Sequence, residues 1–190
     1  AVHGERVSQQ TLFDQVSDSR SMFVPARDRR WLWDLGVQMA PMQDGFTKSE
    51  CLNFYRERSY SPKLNDLFSE INNDVVSPRD FLMIHLHRPD YDHHLYHDPE
   101  LGVENKEWLR KTYRKLDRDA KRIQQQALEA GYDSVIFMSD HGLPTVREHN
   151  ENAFYSCNRK LFGDKTPHIT DFHDKILALT DPDSSESGND

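Results

Sequence analysis

Long apolar runs, cysteines, linker-like stretches and surplus positive charge are all scarce in this chain of 190 residues. No apolar stretch approaches the roughly 18 to 20 residues that a bilayer-spanning helix needs, and no charged-then-apolar leader opens the sequence as given. Cys51 and Cys157 are too few for a disulfide framework. A single bridge is the most they can make, and small buried hydrophobes is the reading favoured over catalysis. With 24 Lys and Arg against 32 Asp and Glu, the net charge is −8. That balance argues against a nucleic-acid backbone as principal partner, because such affinity comes from clustered basic residues. Proline and glycine never gather into a linker, so one globular unit is expected, and a chain of this length can bury one core. The hydrophobic fraction of 36% beside 29% charged residues suits a well-solvated domain, or one that lacks part of its core. Residues 181 to 190 carry no aliphatic or aromatic side chain apart from Pro182 and are expected to form a disordered acidic tail, leaving residues 1 to 180 as the domain.

What is present is an alternation of helical and extended patterns. Ser61 to Ile71 offers a Ser N-cap, Pro62 at the first helical position, and Leu64, Leu67, Phe68 and Ile71 at helical spacing. Thr47-Lys-Ser-Glu50 reads as a capping box for a short helix through Tyr55. The longest helix is predicted over about 107 to 130, with Tyr113, Leu116, Ala120, Ile123 and Ala127 on one face and Gly131 ending it. Apolar runs from Phe81 to Leu86 and from Val135 to Met138 flank that helix and read as strands, the second as a buried strand of a parallel sheet. Strand, helix, strand in this order implies a right-handed parallel crossover and an α/β fold. Between Ser21 and Phe46, arginines stand beside Trp31 and Trp33; stacking on a surface is preferred to lining an anionic pocket.

Both strands end in polar residues suited to chemistry. Asp140 and His141 follow the second strand, at the carboxyl edge where open α/β sheets place their ligands. An Asp-His dipeptide alone is weak, and an ordinary loop explains it as well. The first strand runs into a loop-like stretch that holds five of the ten histidines, from His85 to His97. Within it Asp90 and His94 have the spacing Asp-x3-His, and imidazole with carboxylate is a typical donor set for zinc, manganese or iron. A surface histidine tract is the competing reading. His149 lies eight residues beyond His141.

Taken together, these positions resemble the alkaline phosphatase and sulfatase superfamily. Its two-metal members end one strand in Asp-x3-His, end a later one in Ser/Ala-Asp-His-Gly, and place a further histidine beyond. Here those are Asp90 and His94, Ser139-Asp140-His141-Gly142, and His149. The stretch from Lys165 to Leu177 is similar to the closing helix of sulfatase-like domains. The resemblance covers roughly residues 80 to 180. It implies a three-layer α/β/α domain with a mainly parallel sheet. It also implies that Asp90, His94 and His149 hold one divalent ion while Asp140 and His141 hold another, zinc or manganese being favoured. His85 and Arg147 would face the nonbridging oxygens of the substrate, a small-molecule, glycan or lipid phosphate or sulfate ester.

The family's first strand, with its metal-binding Asp, and the Thr, Ser or Cys nucleophile after it have no counterpart among these residues. His3-Gly4 and the helix-like Ser8 to Val16 are similar to the segment that family members place just after the nucleophile. The nucleophile segment is therefore expected upstream, and the residues given are expected to be the C-terminal part of a catalytic domain. Sulfatase-like members carry a His where this chain has Asp90, and a Lys near Ala153 and Phe154. The resemblance thus favours a two-metal phosphoester hydrolase or transferase over a calcium-dependent sulfatase. A non-catalytic metal- or partner-binding module built on the same fold is the remaining alternative.

Overall fold

Two short parallel strands, Ser19–Met22 (β1) and Phe81–Ile84 (β2), lie side by side with Ser19 opposite Phe81 and Met22 opposite Ile84. They belong to a computed structural model that describes residues 10–25, 27–96, 102–142 and 152–181. The helix Leu12–Gln15 (α1) precedes β1, and Arg30–Gln43 (α2), Lys48–Tyr55 (α3) and Ser61–Asn73 (α4) fill the connection from β1 to β2. After β2 come Asp90–Tyr96 (α5), Gly102–Glu129 (α6), the strands Ile136–Met138 (β3) and Tyr155–Cys157 (β4), and Asp171–Thr180 (α7). Among the described residues no helix is long and apolar enough to cross a membrane.

Local chemistry explains the helix ends. The Thr47 capping box forms as the sequence predicts: Glu50 N–H donates to Thr47 Oγ1 at 3.3 Å, and Thr47 N–H donates to Glu50 Oε2 at 2.8 Å. Ser61 is not the N-cap that its type suggests. Helical backbone runs from α3 through a π-helical turn, Arg56–Tyr60, directly into α4. Pro62 has no N–H for the carbonyl one turn back, and the widened turn just before it absorbs that lost bond. Helix α6 begins at Gly102, ahead of the expected start at about residue 107. It ends as predicted at Gly131, whose φ of 97° is the left-handed conformation that a side chain resists. There Gly131 N–H reaches Leu128 O at 3.1 Å and Tyr132 N–H reaches Ala127 O at 3.0 Å, the paired bonds that satisfy the last carbonyls of a helix.

The core gathers where α3, the π turn, α4 and α6 meet the strands. Met22, Tyr55, Tyr60, Leu67, Ile71, Ile123 and Ala127 are buried together, so most of the predicted apolar faces point inward. Tyr113 is an exception at 47% exposed; its hydroxyl lies 2.8 Å from His93 Nε2. Helix α2 is inverted relative to an ordinary amphipathic helix. It buries Asp34 and Gln38 and exposes Leu32, Trp33 and Met39, so Trp33 is a surface residue.

Pairing of the strands departs from the expected single sheet. Among the described residues β3 pairs with β4, antiparallel, and the two ladders each contain two strands. The run Val135 to Met138 is also less buried than expected, since Met138 is 40% exposed. A short apolar run signals extended backbone but does not name the strand it will pair with. Both cysteines are free, Cys51 in the core and Cys157 partly exposed on β4. His3-Gly4 and the acidic tail beyond Asp181 lie outside the described residues.

Candidate metal centre

Strand β2 hands its parallel ladder on to His85, whose N–H bonds Met22 O at 3.0 Å, and the chain then turns into α5. The stretch read as a loop is thus helical from Asp90. On a helix the Asp-x3-His spacing puts both side chains on one face, one turn apart. His94 Nε2 stands 3.5 Å from Asp90 Oδ1, and His87 Nε2 stands 2.8 Å from Asp90 Oδ2. Asp90 Oδ1 is buried and accepts no hydrogen bond.

The electrostatics tie the two strand tips together. Burial pushes the Asp90 carboxyl up, but the His87 hydrogen bond and the neighbouring His94 and His141 imidazoles outweigh it, leaving Asp90 below the ordinary aspartate value. Burial pulls the His85 imidazole down; His87 and Lys63 act in the same direction and Asp140 opposes them. His141 and Asp140, at the end of β3, therefore act on residues at the end of β2. Asp140 is 80% exposed and lies 3.7 Å from His141 Nε2. His85 Nδ1 is buried with no hydrogen-bond partner, so His85 is not a core histidine satisfied by its neighbours. Arg147 and His149 lie outside the described residues.

Behind this face stands a set of buried polar groups that sequence reasoning missed. Lys63 and Asp34, both fully buried, are 2.6 Å apart. Asp34 also accepts from Ser59 Oγ and, at 3.1 Å, from Gln38 Nε2. Gln38 Nε2 is in turn 2.9 Å from His87 Nδ1. One signal was available: Lys63 falls four residues before Leu67, on the apolar face of α4, where a solvated lysine does not belong. Nothing comparable marks Asp34 or Gln38.

A family model for type I phosphodiesterase / nucleotide pyrophosphatase matches residues 2–174. The chain belongs to that family, which lies within the alkaline phosphatase superfamily. No curated protein and no solved structure matches the chain. The family is hydrolytic and acts on phosphate esters, so the protein is a phosphoester hydrolase of α/β type.

Family members are generally metal-dependent, and the donors present fit a divalent cation in part. Among the described residues no three His, Cys, Asp or Glu side chains close round one point as an ion site. The fit rests on the pair Asp90 and His94. A buried carboxylate oxygen without a hydrogen bond is costly unless something positive meets it. Its 3.5 Å separation from His94 Nε2 is near the edge of about 3.4 Å between two ligands of a tetrahedral ion with bonds of about 2.1 Å. Two open surface depressions are lined by other residues, Leu109 and Tyr113 on α6 in one case, Arg20 and Arg27 at or near β1 in the other. Neither includes a residue of this centre.

Proposed function

We propose that the protein is a metal-dependent phosphoester hydrolase or transferase of the two-metal type, and that its centre lies where the ends of β2 and β3 meet. Asp90, His94 and His149 hold one ion, zinc or manganese; Asp140 and His141 contribute to a second. The domain around them is a three-layer α/β/α unit to which β1 and β2 contribute one parallel pair. The observation that carries the reading is the buried, hydrogen-bond-free Asp90 Oδ1 facing His94, with His141 acting on the same carboxylate.

Bound divalent cations would stabilise the attacking and leaving oxygens of an in-line displacement. The chain's own groups do the rest. Asp90 presents a carboxylate whose pKa its neighbours lower further. His85, whose imidazole pKa is lowered mainly by burial, is suited to hydrogen-bond a nonbridging oxygen, and Arg147 to neutralise one. The substrate is a small-molecule, glycan or lipid phosphate ester, in keeping with the family match. A calcium-dependent sulfatase is disfavoured by Asp90 standing where sulfatase-like members have His. The test is turnover by the longest polypeptide that the gene encodes, stripped with a chelator and reloaded with zinc or manganese. Hydrolysis of a chromogenic phosphodiester that depends on metal and vanishes in Asp90→Asn is expected. Turnover of only a sulfate ester, or none of either ester, contradicts the proposal.

A further inference from the structure

The buried groups behind the metal face form one continuous chain, Lys63, Asp34, Gln38, His87, Asp90, drawn from α4, α2, the turn after β2, and α5. Each contact leaves little choice of donor. A carboxylate has no hydrogen to give, so the Asp34 oxygen 3.1 Å from the Gln38 side chain must face its amide nitrogen, with the carbonyl turned away. The reverse orientation would set the amide oxygen against a carboxylate that is already fully buried, which is repulsive at low dielectric. That same nitrogen is 2.9 Å from His87 Nδ1. Its remaining hydrogen points there, and Nδ1 has to accept it. The one ring hydrogen of neutral His87 is then on Nε2, 2.8 Å from Asp90 Oδ2, where it donates.

We propose that His87 is a positioning residue whose tautomer is set by the Lys63–Asp34–Gln38 chain, so that its Nε2–H pins one oxygen of Asp90 and leaves the other facing His94. The proposal rests on the metal reading for its consequence, though not for its geometry. Both ring nitrogens of His87 are engaged, one receiving from Gln38 and one donating to Asp90, so His87 is not itself a ligand. Hydrogen bonds of this kind behind a ligand fix its orientation, and losing one typically weakens metal binding 10- to 100-fold. Buried Lys63 anchors the far end: its ammonium meets Asp34 at 2.6 Å, lies 4.8 Å from the Phe23 ring centroid, and reaches His85 O at 3.4 Å. The chain thus also touches the backbone at the tip of β2.

Two measurements on the intact chain test this. Long-range proton–nitrogen NMR of the metal-free, nitrogen-15-labelled protein reads which His87 nitrogen is protonated, the signal being assigned by its disappearance in His87→Gln. An Nε2–H tautomer is expected, with Nδ1–H gaining population in Gln38→Leu; an Nδ1–H tautomer in the unmodified protein overturns the proposal. Zinc titration then compares His87→Ala with His87→Gln, whose amide nitrogen reaches the position of Nε2 and so keeps a donor for Asp90. Affinity should fall at least about tenfold in His87→Ala and return to within about threefold of the unmodified protein in His87→Gln, at unchanged helical content by circular dichroism. Equal loss in both variants overturns the proposal. The Nε2–H tautomer in a protein that takes up no zinc supports the chain and refutes the metal reading; zinc uptake with the Nδ1–H tautomer does the opposite.

Discussion

Replacing Lys63 by Met should be among the most damaging single changes in this protein. Lys63 and Asp34 are both without solvent exposure and meet at 2.6 Å; Met keeps most of the side-chain volume and removes only the charge. Breaking a buried pair by deleting one partner typically costs 3–5 kcal/mol, because the other charge stays buried and uncompensated. Asp34 keeps its bonds from Ser59 and Gln38, so the lower end, about 3 kcal/mol, is the expected loss. At a slope of about 2 kcal/mol per molar urea, the unfolding midpoint should fall by about 1.5 M. Lys63→Met combined with Asp34→Leu removes both charges and should recover at least half of that loss, since apolar replacement of a whole buried pair is often neutral. Equilibrium urea unfolding followed by circular dichroism measures both. A loss under about 1 kcal/mol for the single variant, or no recovery in the double, refutes the view that these groups are paired ions in a dry interior.

Three further outcomes concern other parts of the molecule. Asp28 accepts from Phe23 N–H, Arg30 N–H and Arg30 Nε; burial opposes ionisation, but these bonds prevail and lower its pKa to about 2. A depressed carboxylate stabilises the fold fully above its unfolded value near 4 and loses that contribution as pH falls through about 2. Asp28→Asn should therefore cost about 1 kcal/mol at neutral pH after allowance for solvent screening and flatten the acid limb of urea midpoint against pH; an unchanged limb contradicts this. In Gly131→Ala the new Cβ would sit 2.9 Å from Pro78 Cγ at a φ of 97°, so a loss of about 1–2 kcal/mol should appear as a lower Tm, whereas an equal or higher Tm would show that the turn relaxes freely. Cys51 is 2% exposed and burial raises its thiol pKa. Ellman's reagent should accordingly label Cys157 quickly and Cys51 only on unfolding, and rapid labelling of both would contradict the packing of α3.

Elements governed by short-range chemistry were legible in the sequence. The Thr47 capping box, the Gly131 stop and the two apolar runs around β2 and β3 each depend on neighbours within a turn or two. The pairing of β3 with β4 was not legible, because apolar runs specify extended backbone without specifying a partner. Ser61 misled for a related reason: its residue type suits an N-cap, but the backbone before it was already helical. The Asp-x3-His spacing marked Asp90 and His94 as candidate ligands, although the helix that brings them onto one face was read as a loop. His87 was hidden among five clustered histidines, and its role depends on Gln38 and Asp34, which are distant in sequence. Buried polar chains of this kind carry no periodic signature; only Lys63, out of place on an apolar face, hinted at one.

The proposed function requires that Asp90 and His94 hold a metal ion. Its most direct test is isothermal titration of the metal-stripped chain with zinc, repeated for Asp90→Asn and His94→Ala. Of the residues given, only Asp140 and His141 are assigned to a second ion, and two ligands hold an ion weakly, so about one tight equivalent is expected. That equivalent should weaken at least about tenfold in either variant, with the Tm of the metal-free proteins little changed. Two tight equivalents, or an affinity that neither substitution alters, would contradict the assignment of Asp90 and His94 as ligands.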